Sequence, residues 1–280
     1  MGNLNTRMPR ELAAQYGAEA VQIIQDGAYR TPSGRLVNIA DLLERAASGT
    51  VSYPPDVTLP ESQIGAYRTR ITIANETTLA AVQRLRAHGC HPAALNFASA
   101  THPGGGFRSG ARAQEEYLAR SSGLYACLRP NPMYAFHRAR HDPLYTDYVI
   151  HSPAVPVFRG DDGALLETPY TVGIITSPAV NASALPRERH AEILPAMWPR
   201  ILKVLAVGVR HGHDSIVLGA WGCGAFGNDS AAIAPLFRKA LAENFSGAYQ
   251  QVSFAIVDRS PEKRNIGPFQ RAFGRGADRV

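Results

Sequence analysis

A chain of 280 residues with 45% hydrophobic and 19% charged content has the balance of an ordinary globular protein and can bury a full-sized core. Its formal net charge of +6 favours anionic partners, yet the basic residues never form a run of five or six, so a dedicated nucleic-acid face is not expected. Three widely spaced cysteines, Cys90, Cys127 and Cys223, fit neither a disulfide framework nor a paired-cysteine zinc site and suit a reducing cytosol, and no apolar run approaches the ~20 residues that cross a bilayer.

The opening MGNLNT fits a loose myristoylation pattern, Gly2 followed by Thr6, but no second anchor follows it, so neither a membrane partner nor a secretory leader is expected. From Arg10 to about Ile24 the spacing predicts a helix. Gly27, Pro32, Gly34, Gly49, Pro54, Pro55 and Pro60 then punctuate an accessory extension over residues 1–65. A regular alternation begins at residue 66. Ile71 to Ala74 reads as a strand, Leu79, Val82 and Leu85 as one helical face, and Ala94 to Ala98 as the next strand. A glycine loop at 104–106 leads to a helix over about 113–128 and another near 134–141. Tyr148 to Phe158 and Tyr170 to Thr176 read as neighbouring strands joined by the turn Gly160-Asp161-Asp162-Gly163. Ile193, Met197, Ile201 and Leu205 mark a helix, followed by a strand at 215–220, a glycine-rich turn, a helix carrying Ile233, Leu236, Phe237 and Leu241, and a strand at 252–257. Strands alternating with helices predict an α/β fold with helices on both faces of a central sheet. Ligands in such folds bind beyond the carboxyl ends of strands, here after residues 98 and 220.

Both places carry glycines. Pro103-Gly104-Gly105-Gly106-Phe107 lets the backbone approach a ligand closely, although a tight turn alone would also account for an isolated triplet. Gly222-Cys223-Gly224-Ala225-Phe226-Gly227 matches a dinucleotide fingerprint between a strand and a helix and would set a pyrophosphate over the helix beginning near Asp229. A nicotinamide-dependent oxidoreductase is excluded, because only about 50 residues follow the fingerprint and Asp258 lies beyond the ~20-residue spacing of the ribose-binding acid. No metal or other cofactor is expected. The pairs His88/His91 and His211/His213 read as surface residues, and Cys223 as a small residue in a tight loop.

Gln114-Glu115-Glu116 opens a helix eight residues past the glycine triplet. Adjacent carboxylates at a helix start should separate in acidity, since a like charge raises one and the helix dipole favours the ionised form of the other. A Glu-Glu that merely complements the dipole is the plainer alternative, but the neighbouring glycine loop favours acid/base chemistry.

Taken together, Leu95-Asn96-Phe97-Ala98-Ser99, Pro103 to Phe107, Gly110, Ala113-Gln114-Glu115-Glu116, Arg120-Ser121-Ser122 and Leu124-Tyr125 resemble the signature of bacterial-type poly(ADP-ribose) glycohydrolases, a GGG and QEE pair with a short spacer. The likeness extends over roughly residues 65–260. It implies a macrodomain-like three-layer α/β/α core with a central mixed sheet over residues 66–280. It also implies a glycosidase that hydrolyses ribose–ribose O-glycosidic bonds of poly(ADP-ribose), free or on protein, and releases ADP-ribose. Glu116 would be the general acid/base, Glu115 would hold the neighbouring ribose hydroxyls, and Asn96 would bond the distal ribose. Gly104, Gly105 and Gly106 would approach the diphosphate and the distal ribose, and Gln114 would bind substrate beside them. Gly222, Cys223, Gly224, Ala225, Phe226, Gly227 and Asn228 would form the second diphosphate loop, with Phe226 packing on a ribose, and Glu76 would touch the adenine edge or stand as a solvent-facing acid at a helix start. A cytoplasmic monomer without membrane or nucleic-acid partners is expected. A non-catalytic ADP-ribose reader and a mono-ADP-ribosyl hydrolase are the alternatives, and the proline-rich arm is one candidate to block the adenine-distal end of the groove.

Overall fold

The first helical pattern forms α1 (Arg10–Asp26), which buries Ala13, Gly17, Ala20 and Ile23 on one face and stops at Gly27 in the left-handed conformation. The computed structural model describes residues 8–274, so Gly2 and Thr6 lie outside the described residues. The punctuated arm holds more regular structure than its glycines and prolines suggest. It contains a hairpin of β1 (Ala28–Arg30) and β2 (Leu36–Asn38), helix α2 (Ala40–Ser48) and strand β3 (Val51–Tyr53), which joins the central sheet. Residues 63–67 then run along 244–247, at the opposite end of the strands from their carboxyl termini, so this stretch of the arm does not close the groove.

Beyond it come β4 (Arg70–Ala74), α3 (Thr78–Ala87), β5 (Pro92–Phe97), α4 (Gln114–Ser121), α5 (Leu124–Leu128), α6 (Met133–Arg140), β6 (Val149–Arg159) and β7 (Leu165–Ser177). The chain continues through α7 (Ile193–Arg210), β8 (Ser215–Leu218), α8 (Ser230–Lys239) and β9 (Gln251–Ala255) to α9 (Ile266–Phe273), which the sequence reading did not anticipate. The single helix expected over 113–128 is two. Its break at Ser122-Gly123 is tertiary in origin: Gly123 N–H donates to the Pro156 carbonyl at 2.8 Å, and a Cβ there would stand 2.4 Å from Leu43 Cδ2.

The seven strands lie in the order β3-β6-β7-β5-β8-β9-β4, parallel from β7 to β4 and antiparallel at β3 and β6. Alternation along β5 explains the layers. Ala93 and Leu95 enter a core with Ile201, Leu205, Trp221 and Phe254 on one face, and Ala94 enters another with Leu79, Leu85, Leu118 and Leu128. A mixed sheet between two helical layers is the architecture the family signature implied.

Away from the carboxyl ends of the strands, His151 and His213 face each other with Nε2 atoms 3.0 Å apart, an arrangement that needs at least one neutral ring. His211 stacks on His151 at 3.6 Å and His91 on His213 at 4.6 Å, while Tyr53, Arg210 and Asp214 border the group. Burial, reinforced by the neighbouring imidazoles, lowers His151 to about 3 and His213 to about 4, from an ordinary value of 6.5. These are depressed bases, so the unfolded chain takes up protons below 6.5 that the folded protein refuses. Stability is therefore full above 6.5 and falls as the pH drops toward 4 and 3. Urea midpoints should decline between about pH 7 and about pH 4.5, and less steeply in His151→Gln; identical slopes in the two proteins would refute this origin.

Candidate active site

The carboxyl ends of β4, β9, β8 and β5 border a cleft of about 340 Å³. Glu76, Thr77 and Thr78 line it at β4 and α3, Ile256, Val257 and Asn265 after β9, Trp221, Gly222, Gly224, Ala225 and Phe226 but not Cys223 after β8, and Ser99 and Glu115 beyond β5. Residues far apart in the sequence meet here because parallel strands deliver their following loops to one edge.

Gln114 sets the start of α4. Its Oε1 accepts the Phe97 N–H at 2.9 Å, and its Nε2 donates to the Leu95 carbonyl at 2.8 Å and to Thr78 Oγ1 at 3.0 Å. This side chain locks α4 to β5 through protein contacts. Glu115 and Glu116 are then carried into the turn of Gly104–Gly106 at 3% and 8% exposure. Glu115 Oε2 accepts the Ser99 N–H at 2.6 Å, and Glu116 Oε1 accepts the Gly106 N–H at 3.0 Å. Gly105 has φ +59°, and a Cβ on it would stand 2.3 Å from Glu116 Oε1 and 3.0 Å from Glu115 Oε2, so only glycine admits both carboxyls at once.

Burial pushes the Glu115 carboxyl up to about 8. The Ser99 N–H pulls toward the charged form and the Glu116 charge away from it, and desolvation prevails. Glu115 thus holds its proton at neutral pH. Asn96, fully buried, donates from Nδ2 to Thr176 Oγ1 at 3.3 Å and lies 3.5 Å from Glu115 Oε1. Asn96 Oδ1 and Glu116 Oε2 are buried without a hydrogen-bond partner among the described residues.

The second glycine loop sits on Trp221, whose Nε1 donates to the Ser177 carbonyl at 3.2 Å. Gly222 has φ +76°, and a Cβ on it would stand 2.5 Å from Asn228 Nδ2, which itself donates to the carbonyls of Val180 and Gly222. Asn228 therefore shapes the loop, while Gly224 and Ala225 are its exposed turn and Phe226 lines the cleft. Gly227 precedes the α8 cap, where Asp229 Oδ1 accepts the Ala231 N–H. Burial pushes the Cys223 thiol up to about 11, which removes it as a nucleophile.

The family model for the microbial-type PARG catalytic domain matches residues 17–160. The chain belongs to the microbial-type poly(ADP-ribose) glycohydrolase family. Poly(ADP-ribose) glycohydrolase from Thermomonospora curvata is 49% identical, with a TM-score of 0.89, over 94% of this chain and 100% of that one. Its complex with the inhibitor ADP-HPD matches with a TM-score of 0.88. The enzyme from Deinococcus radiodurans in complex with ADP-ribose is 42% identical, with a TM-score of 0.78, over 82% of this chain and 96% of that one. A comparison with curated protein sequences gave no match.

Several residues of this glycohydrolase site escaped the sequence reading. Ser99, quoted in the signature without a role, clamps Glu115 through its backbone N–H. Asp161, read only as part of a turn, accepts Tyr117 Oη–H at one oxygen and Thr77 Oγ1–H at 2.6 Å at the other, tying α4 to the start of α3. Glu76 does line the cleft, with Oε1 held by Arg84 at 2.6 Å. Asp258 serves the backbone: against the burial that opposes it, hydrogen bonds from Ser260, Ile266 and Asn265 bring its carboxyl down to about 2 and shape the loop that presents Asn265 to the cleft.

Proposed function

We propose that Glu116 is the acid/base residue with which this poly(ADP-ribose) glycohydrolase breaks the ribose–ribose O-glycosidic bond and releases ADP-ribose. The observation that carries the assignment is its geometry: Oε1 is held by the Gly106 N–H while Oε2 is buried and unpartnered beside Glu115. Glu116, in its protonated form, gives its proton to the departing ribose oxygen as the glycosidic carbon gains oxocarbenium character. The carboxylate then takes a proton from the water that attacks this carbon. Asn96 Oδ1 and Glu115 bond the ribose hydroxyls. Gly104, Gly105 and Gly106 approach the diphosphate from one side. Gly222 to Asn228, with the amino terminus of α8 behind them, approach it from the other, and Phe226 packs on the ribose. Glu76 meets the adenine edge, and Gln114 keeps the carboxylates in register. This route uses no metal or other cofactor.

A reader module needs both glycine loops but has no use for a buried carboxyl pair, which favours catalysis. Purified poly(ADP-ribose) incubated with the protein should yield free ADP-ribose, resolved by chromatography. Release from mono-modified protein alone would make the chain a mono-ADP-ribosyl hydrolase, and binding without release would make it a reader.

The proposed division of labour places bond cleavage in residues 66–280 and support in residues 1–65. Three unpaired cysteines, two of them buried, favour a reducing cytoplasm, and scattered exposed apolar side chains favour a monomer. Among the described residues no helix is long and apolar enough to cross a membrane.

A further inference from the structure

Across the strand ends the cleft runs from β4 and β9, lined by Glu76, Val257 and Asn265, to β5, lined by Ser99, Glu115 and Glu116. Cleavage at Glu116 leaves the departing half of the substrate beyond β5, toward β7 and β6. Ile150 of β6 pairs with Thr176 of β7, so the segment 141–148 that enters β6 lies at this end of the sheet.

Helix α6 and that segment form a braced platform beside the triple-glycine turn. Arg138 donates from Nη1 to the Thr101 carbonyl at 2.7 Å, just ahead of Gly104, and its side chain remains exposed. His137, 1% exposed, accepts the Thr146 N–H at Nε2 at 3.2 Å. Burial lowers this imidazole to about 4, which leaves Nε2 able to accept at neutral pH. Asp142 closes the segment, accepting the Leu144 N–H at Oδ1 and the Tyr145 N–H at its carbonyl, each at 3.0 Å. These bonds hold Tyr145 at φ +55°, a left-handed backbone that tyrosine rarely adopts. Its half-buried ring stands 6.1 Å from Phe226 of the second glycine loop and 5.6 Å from His137. An aromatic ring beside Phe226 and a cation beside Thr101 thus stand next to the two glycine loops, on the side of the sheet where β6 begins.

We propose that Tyr145 and Arg138 form a leaving-group subsite, in which the purine of the departing unit stacks on the Tyr145 ring and its diphosphate meets the Arg138 guanidinium. This inference rests on the glycohydrolase reading and extends it from the unit that is released to the unit it is released from. Stacking suits any purine face, and a guanidinium suits phosphate oxygens.

Two variants test it. Tyr145→Asn removes the ring while tolerating the left-handed backbone, and Arg138→Gln removes the charge while keeping an N–H for Thr101. The readouts are KM for purified poly(ADP-ribose) and calorimetric affinity for ADP-ribose, which fills the cleft without a departing unit. Tyr145→Asn should raise the polymer KM roughly ten-fold, the scale of one base–aromatic stack. Arg138→Gln should raise it less, with an effect that fades at high salt. ADP-ribose affinity should stay at the wild-type value in both. Unchanged polymer KM in both variants would overturn the subsite. So would a parallel loss of ADP-ribose affinity in Tyr145→Asn, which would make Tyr145 a mere support for Phe226. Absence of ADP-ribose release by the wild type would overturn the glycohydrolase reading itself, and the subsite with it.

Discussion

Glu116→Gln is expected to slow ADP-ribose release by about 10³-fold, within the range of a lost general acid/base, while ADP-ribose still binds. The amide has the shape of the carboxyl and can still accept the Gly106 N–H at the position of Oε1, so the turn keeps its geometry. What disappears is a group able to give a proton to the departing oxygen and take one from water. Glu115→Gln should behave differently. Glu115 is already neutral at pH 7, because burial pushes it up to about 8, and an amide there mimics the protonated acid's shape and can still accept the Ser99 N–H. Its cost should fall more on ribose binding than on turnover. The sign of the pH dependence follows from the same shift: Glu115 keeps its proton below about 8 and loses it above, which puts a buried negative charge among the groups that hold the ribose, so the wild-type rate should fall as the pH rises through that value. Single-turnover release and calorimetry on both variants decide the assignment. Turnover that survives in Glu116→Gln and vanishes in Glu115→Gln would exchange the two roles.

The parts of this site that were legible in the sequence are those encoded locally. Glycine triplets after a strand, and a carboxyl pair at a helix start, state their own backbone needs. Gly105 and Gly222 bear this out through positive φ and through neighbours that leave no room for a Cβ. The apolar alternation that places Ala93 and Leu95 on one face of β5 and Ala94 on the other was equally legible. What escaped depends on distant partners. Asp161 and Thr77 are 84 residues apart in the chain, and nothing around either announces the other. The break at Gly123 comes from Leu43 and Pro156, both brought there by the fold. Strand β3 is only three residues long, too short for an alternating pattern, and proline follows it at once. The extension therefore looked more detached in the sequence than it is in the molecule.

That attachment leads to the second large effect, at a glycine far from the carboxylates in sequence. Gly17→Leu should lower kcat by about 10²-fold, the scale of a 1 Å misplacement at a reacting centre. Gly17 lies on the buried face of α1, and a Cβ there would stand 2.5 Å from the carbonyl oxygen of Phe107, which is backbone and cannot swing aside as a side-chain tip does. Other contacts bind the same surfaces. Arg10 Nε donates to the Ser109 carbonyl at 3.0 Å, Arg112 Nη1 donates to the Met8 carbonyl at 2.7 Å, and Gly110 leaves no room for a Cβ beside the Arg10 carbonyl. The turn after the glycine triplet is thus clamped between α1 and the start of α4. Any side chain at position 17 must part them, and the Gly106 N–H would then leave Glu116 Oε1. Helix propensity acts in the other direction, since replacing a mid-helix glycine adds up to about 1 kcal/mol to the helix. Thermal stability alone would therefore misreport the damage, and kcat on poly(ADP-ribose) is the measurement to make. Leucine at the neighbouring exposed position, Ala18→Leu, lengthens a side chain on the same helix without entering the contact and should leave kcat near wild type. If Gly17→Leu also turns over normally, α1 is a passive neighbour. If it fails while the protein remains folded and Ala18→Leu does not, α1 belongs to the machinery that holds Glu115 and Glu116 in place.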